Sequence, residues 1–198
     1  MDAAELLARY SAGCRNFFQA DLREVNLSEA CLKEIHLGGA NLTQSTVSAA
    51  NLQDAHLQGT TLNRAMLWRT DFTRALLMRA SLNRANLIRA LLREASLCQA
   101  SLREADLRLA DLQHSDLSGA VLVGADLRYA NLQGANLAGA DLSRADLTGA
   151  NLRDVNLCAA ILTQTTLTNA DLHNAELRFV NLDNIDCRRS KMSLACSP

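Results

Sequence analysis

The chain has 198 residues with one proline, 4% aromatic and 48% hydrophobic residues, and a formal net charge of −1. Apolar side chains suffice for one continuous core, but bulky residues are too few to fill a wide globular one. The near-neutral charge weakens any function that needs a strong electrostatic field.

The start, Met1-Asp2-Ala3-Ala4-Glu5, lacks the basic and apolar blocks of a signal peptide, and no run of eighteen apolar residues occurs anywhere. The expectation is a cytoplasmic protein without a membrane span. Asp2 and Glu5 followed by Leu6, Leu7 and Tyr10 read as a capped amphipathic helix ending near Gly13. Residues 1–14 are therefore expected to form an N-terminal capping helix.

From Leu22 to Leu182 every fifth residue is Leu, apart from Val47 and Phe72, and Ala usually stands two places earlier. Helices repeat at about 3.6 residues and strands at 2, so a period of five fits neither. One local backbone path must recur and stack on itself, as in a short-period solenoid. The register shows no slip, linker or Pro-rich stretch, which leaves a single repeat domain over residues 15–189 and a C-terminal tail over residues 190–198.

Units such as Ala20-Asp21-Leu22-Arg23-Glu24 and Ala130-Asn131-Leu132-Gln133-Gly134 resemble the A(D/N)LXX pattern of the pentapeptide repeat family. The resemblance implies an all-β fold, a right-handed quadrilateral parallel β-helix with four pentapeptides per coil. The central Leu and the preceding small residue would point inward, and residues twenty apart would lie one above the other. At a strand spacing of about 4.8 Å, about eight coils make a rod roughly 40 Å long.

Stacked repeats need covered ends, because a terminal coil leaves unpaired strand edges and bare leucine. The predicted helix serves that purpose at the start. At the other end the inward positions become Cys187 and Met192, and residues 188–194 show no convincing helical pattern. Two readings stay open there: a frayed tail, or an apolar end that pairs with a second molecule, so that the chain is a monomer or a dimer through its C-terminal end.

Glycine favours the last pentapeptide position, as at Gly39, Gly59, Gly119 and Gly149, where a corner of the square needs positive φ. These glycines are turn chemistry, since a phosphate-binding GxGxxG needs a strand feeding a helix. The six cysteines show no CxxC spacing, and Cys98 and Cys158 share a column three coils, or about 14 Å, apart. A disulfide needs Cα atoms within about 7 Å, so reduced thiols are expected.

His36 and His56 fall in one column, but the column continues with Leu76 and Ser96, leaving no third metal ligand. No Ser or Thr has a His and a carboxylate arranged for nucleophilic attack. The Asp residues that precede many leucines, such as Asp106, Asp126 and Asp146, would form ladders on a convex wall with no pocket to shift their pKa values. The expectation is a non-enzymatic protein with no cofactor and no metal.

Apolar or aromatic residues at outward positions have no folding reason to be there. On the wall built on Leu67, Leu87, Leu107 and Leu127, the outward positions hold Met66, Trp68, Arg69, Ile88, Arg89, Arg108, Leu109, Arg128 and Tyr129. Trp, Tyr, Met and Arg are enriched in protein interfaces, so these nine residues form the candidate protein-binding site. Leu76, Met78 and Leu91 widen the apolar belt. Arg64, Arg69, Arg74, Arg79, Arg84 and Arg89 end six successive pentapeptides and would ring the rod, opposed between them only by Asp71. Duplex nucleic acid wants its cations along one face, so direct nucleic-acid binding is not expected.

The opening residues 5–17, Glu-Leu-Leu-Ala-Arg-Tyr-Ser-Ala-Gly-Cys-Arg-Asn-Phe, look like the start of a cyanobacterial group in the family that suppresses heterocyst differentiation. Leu87-Ile88-Arg89-Ala90 and Ala95-Ser96-Leu97-Cys98 echo the same group. That implies a regulator acting by contact with another protein, such as a differentiation transcription factor. The alternatives are a DNA-mimic modulator of DNA gyrase, like family members that protect gyrase from quinolones, and a structural module. A mimic needs a long, strongly negative face, which a net charge of −1 disfavours.

Overall fold

The five backbone N–H groups of one unit, Ala140-Asp141-Leu142-Ser143-Arg144, explain the architecture. In this computed structural model, which describes residues 1–183 and 185–192, Asp141 N–H donates to the Ala120 carbonyl at 2.9 Å, one lap back. Leu142 and Arg144 N–H donate one lap forward, to Ile161 at 2.8 Å and Thr163 at 2.9 Å. Ala140 N–H closes a turn onto Leu137 at 3.0 Å. The fifth donor, Ser143 N–H, is taken by the Asp141 side chain, Oδ1 lying 3.0 Å away. All five donors are satisfied, which a buried or stacked backbone requires.

Phe18, Thr73 and Arg153 N–H donate in the same way to the side-chain oxygens of Asn16, Asp71 and Asn151. This bond supplies the physical reason for Asp or Asn before the central leucine: the short side chain closes an Asx turn on an amide that the ladder leaves over.

Parallel bridges join residues twenty apart, from Asn16↔His36 to Asp171↔Lys191, so four pentapeptides make one lap and four walls. The expected solenoid register is thus observed. The central residues from Leu22 to Leu177 are at most 3% exposed, with the alanines packed beside them. Where Ser or Thr replaces the small residue it is buried yet bonded, as Thr70 Oγ1 is to Val47 O at 2.8 Å and Thr165 Oγ1 to Leu142 O at 2.8 Å. Among the described residues no buried side-chain N or O lacks a partner.

The corners do sit at positive φ, but glycine is not needed there. Arg64, Arg69, Arg74, Arg79, Arg84 and Arg89 all adopt φ of 56–58°, as do Glu, Gln, Leu and Tyr at other corners within a few degrees. Left-handed backbone costs an L-residue about 1–2 kcal/mol. Along the shaft the corner N–H groups recover ladder bonds, as Arg69 N–H does to Ile88 O at 3.0 Å, and the turning corners allow the flanking leucines to be buried.

At the start, α1 (Ala3–Ser11) is capped by Asp2, whose carboxylate accepts from Glu5 N–H at 2.8 Å. Its buried Leu6 joins the core, and the Tyr10 hydroxyl donates to Lys33 O at 2.9 Å. No helix is long and apolar enough to cross a membrane among the described residues.

The last lap departs from the expected register. Leu182, expected to point inward, is 39% exposed, and no bridge joins Ile161 to Asn181 among the described residues. Pairing resumes at Asp186 with Thr166 and Lys191 with Asp171, but Cys187 is exposed and Met192 only half-buried. An inward side chain in the final lap meets a neighbour on one side only, so turning inward gains it less than in the middle of the shaft. The segment 193–198, most of the expected tail, lies outside the described residues. Cys14, Cys31, Cys98, Cys158 and Cys187 are free thiols.

Candidate interaction surface

The wall over Leu67, Leu87, Leu107 and Leu127 gathers residues that the sequence spreads over sixty positions. The bridges Met66↔Asn86, Asn86↔Asp106 and Asp106↔Asp126 fix one column. A corner column is fixed by the bonds from Arg69 N–H to Ile88 O, Arg89 N–H to Arg108 O, Leu109 N–H to Arg128 O and Tyr129 N–H to Thr148 O, all 3.0–3.1 Å. Trp68, Ile88, Arg108 and Arg128 stack between the two columns on successive laps.

Exposure divides the nine candidate residues. Tyr129 is 62% exposed, Leu109 47%, Met66 44% and Trp68 39%, so each leaves apolar surface open to solvent. Ile88 is only half-buried, and the Arg69 guanidinium lies 5.1 Å from the Trp68 ring centroid, covering part of it. Ile88, Arg89, Arg108, Leu109, Arg128 and Tyr129 line an open groove of about 420 Å³. The structure therefore brings all nine together, with the groove at one end and Met66, Trp68 and Arg69 at the other.

Arg108 and Arg128 are held in place by carboxylates. Arg108 makes a two-pronged pair with Asp106, at 2.8 and 2.6 Å, and its Nε lies 3.6 Å from Asp126. Arg128 repeats the pattern with Asp126, at 2.9 and 2.6 Å, and its Nε lies 3.8 Å from Asp146. The result is an alternating ladder, Asp106–Arg108–Asp126–Arg128–Asp146. Burial pushes the Asp126 carboxyl up, but its bonds from the Arg128 side chain and backbone, with the charges of Arg128 and Arg108, bring it below the ordinary value of 3.8.

The arginine ring is less naked than the sequence implies. Arg74 pairs with Asp54 and Arg84 with Glu104, both at 2.8 Å, and Arg79 donates to Gln99 Oε1 at 2.9 Å. These partners stand twenty residues away, outside any window that compares sequence neighbours. Among the described residues, Arg69 and Arg89 have no carboxylate within ion-pair distance.

Away from this wall, the exposed His36 and His56 rings stack with centroids 4.3 Å apart and planes 7° from parallel. Among the described residues no group of three His, Cys, Asp or Glu side chains is placed to hold a metal. The sequence does not single out a further cleft of about 640 Å³ with a mixed polar and apolar lining, where Ile161 and Phe179 meet Thr163, Gln164, Asn181 and Asp183 at the open side of the last lap. Its signals were Ile161 in place of Asp or Asn and Phe179 at a corner, where it is 84% exposed.

A filled shaft of stacked five-residue units, with side chains for contact on its walls, defines a repeat-scaffold protein. The chain belongs to the pentapeptide repeat family: the profile for pentapeptide repeats matches eight copies across residues 20–119 and 120–189. The chain is similar to HetL, a pentapeptide repeat protein involved in heterocyst differentiation regulation from the cyanobacterium Nostoc sp. strain PCC 7120. Identity is 31% over 100% of this chain and 98% of that one, with a TM-score of 0.55. It also shares its fold with QnrB1, a plasmid-mediated fluoroquinolone resistance protein, at 17% identity over 88% of this chain and 90% of that one, with a TM-score of 0.57. A comparison with curated protein sequences gives no match.

Proposed function

We propose that this chain is a non-enzymatic protein-binding scaffold that acts in the cytoplasm as a cyanobacterial regulator. In this reading a right-handed quadrilateral shaft, with α1 as its cap, presents the Met66, Trp68, Leu109 and Tyr129 surface to a partner such as a differentiation transcription factor. The observation that carries the reading is that stripe: four large apolar side chains left exposed on a shaft whose core is already full. Exposed apolar surface of this kind has a cost in water that folding does not require. The likeness to HetL over the whole chain supports a role in differentiation control.

The gyrase-mimic alternative lacks comparable support. It requires an unbroken negative face, and on this wall Arg108 and Arg128 alternate with Asp106, Asp126 and Asp146. The test is affinity capture from cyanobacterial extract with the wild-type chain, Trp68→Glu and Tyr129→Glu, read by mass spectrometry. The expected result is at least one protein retained by the wild type and lost from both variants. Equal retention by all three overturns the reading.

A further inference from the structure

The corner column Arg69, Arg89, Leu109, Tyr129 is chemically graded along the shaft. Its first two laps present guanidinium groups with no carboxylate in reach among the described residues, and its last two present exposed apolar side chains. The other two cations of the wall, Arg108 and Arg128, are already held by Asp106, Asp126 and Asp146 and add little net charge. Along this corner column positive charge comes first and apolar side chains follow, while Met66 and Trp68 add exposed apolar surface beside Arg69. Leu91, 39% exposed, stands on the far side of Arg89 and extends the apolar surface there.

We propose that this corner stripe docks an acidic amphipathic α-helix of a partner protein, lying along the shaft with carboxylates on Arg69 and Arg89 and apolar side chains on Leu109 and Tyr129. The proposal rests on the protein-binding reading above and names the element that the surface takes. Two features single out a helix. Laps repeat at the strand spacing of about 4.8 Å, and a helix returns the same face every 5.4 Å or so, a mismatch of roughly 2 Å over three laps. An extended strand returns its face every ~6.7 Å and would be nearly 6 Å out of step by Tyr129. The second feature is charge: acidic side chains would make charge-assisted bonds to two arginines that no carboxylate among the described residues reaches.

The probes are stapled helical peptides with Glu at positions i and i+4 and Leu at i+7 and i+11 on one face. The comparison set holds the reversed order, a Lys-for-Glu version and an extended, proline-interrupted peptide of equal composition. Binding is read by fluorescence anisotropy. The acidic helical peptide should bind in one of its two orders with a Kd below about 1 mM. Tyr129→Ala should weaken it roughly tenfold, as expected for an aromatic anchor. The Arg69→Glu/Arg89→Glu protein should reject it and accept the Lys version. Equal binding of the Lys or extended peptide to the wild type, or no binding by either acidic order, overturns the proposal. Loss of natural-partner capture on Tyr129→Glu, retained on Arg69→Glu/Arg89→Glu, would sink the acidic helix while leaving the protein-binding surface standing.

Discussion

The Tyr129 ring lies against Gly149 on the next lap, so closely that a Cβ added to Gly149 would stand 2.6 Å from Tyr129 Cε1. Gly139 has nearly the same backbone, φ of 66° against 68°, yet nothing within 4 Å of its virtual Cβ. The glycine at 149 therefore leaves room for the aromatic ring that forms one wall of the 420 Å³ groove.

Gly139→Ala should cost only the left-handed backbone penalty, about 1 kcal/mol. Gly149→Ala should cost more and should swing Tyr129 out of place. In the Tyr129→Ala background the two glycine substitutions should become equal, since the clash has gone. Chemical denaturation of the four single and double variants measures this coupling, and equal costs in the wild-type background would refute the contact.

Leu107 is wholly buried in the middle of the shaft. Leu107→Ala should lower stability by about 2–5 kcal/mol, and Leu107→Asp should abolish folding by placing an unpaired charge in the core. Trp68→Glu, at an exposed position on the same wall, should retain the wild-type circular dichroism and melting transition.

The Asx turn at Asp141 is separable from the rest of the ladder. Asp141→Ala keeps the inter-lap bonds and removes only the acceptor for Ser143 N–H, so the expected loss is about 1 kcal/mol. Asp141→Asn should retain nearly all of the stability, because its Oδ1 can serve as the acceptor. Hydrogen exchange at Ser143 should quicken in the Ala variant alone.

The carboxyls of Asp54, Glu104 and Asp126 are lowered by neighbouring arginines, against the opposing effect of burial, which is largest at Asp126. A folded-state value below the unfolded one means that the contribution is present above the ordinary range near 4 and is lost as pH falls through the folded value. The contribution of these three carboxylates should therefore stay nearly constant from pH 7 to about 4.5 and decline below it. Arg128→Gln should move the Asp126 titration upward, which carboxyl-carbon NMR reads directly.

Much of the fold was legible because the five-residue register is both local and redundant: one substitution such as Val47 or Phe72 leaves the pattern readable. The candidate wall was legible for the same reason, since a fixed lap length turns sequence distance into height. Leu182 was misread because the register gives every leucine the same prospect, although burial depends on having a lap on both sides. The pairing of Arg74 with Asp54 and Arg84 with Glu104 was missed because the sequence was weighed along the chain rather than across laps.

The sequence alone determined the five-residue register, the central leucine of each unit and the identity of the outward residues, because a period of five fits neither a helix nor a strand and must recur as one stacked backbone path; the twenty-residue lap came from the resemblance to the pentapeptide repeat family. The tertiary structure decided which outward residues are available. Side-chain packing between laps partly covers Trp68 with Arg69, seats Tyr129 over Gly149, and commits Arg108 and Arg128 to aspartates while Arg69 and Arg89 have none in reach among the described residues. Such choices depend on rotamers and on neighbours twenty residues away, and no local pattern encodes them.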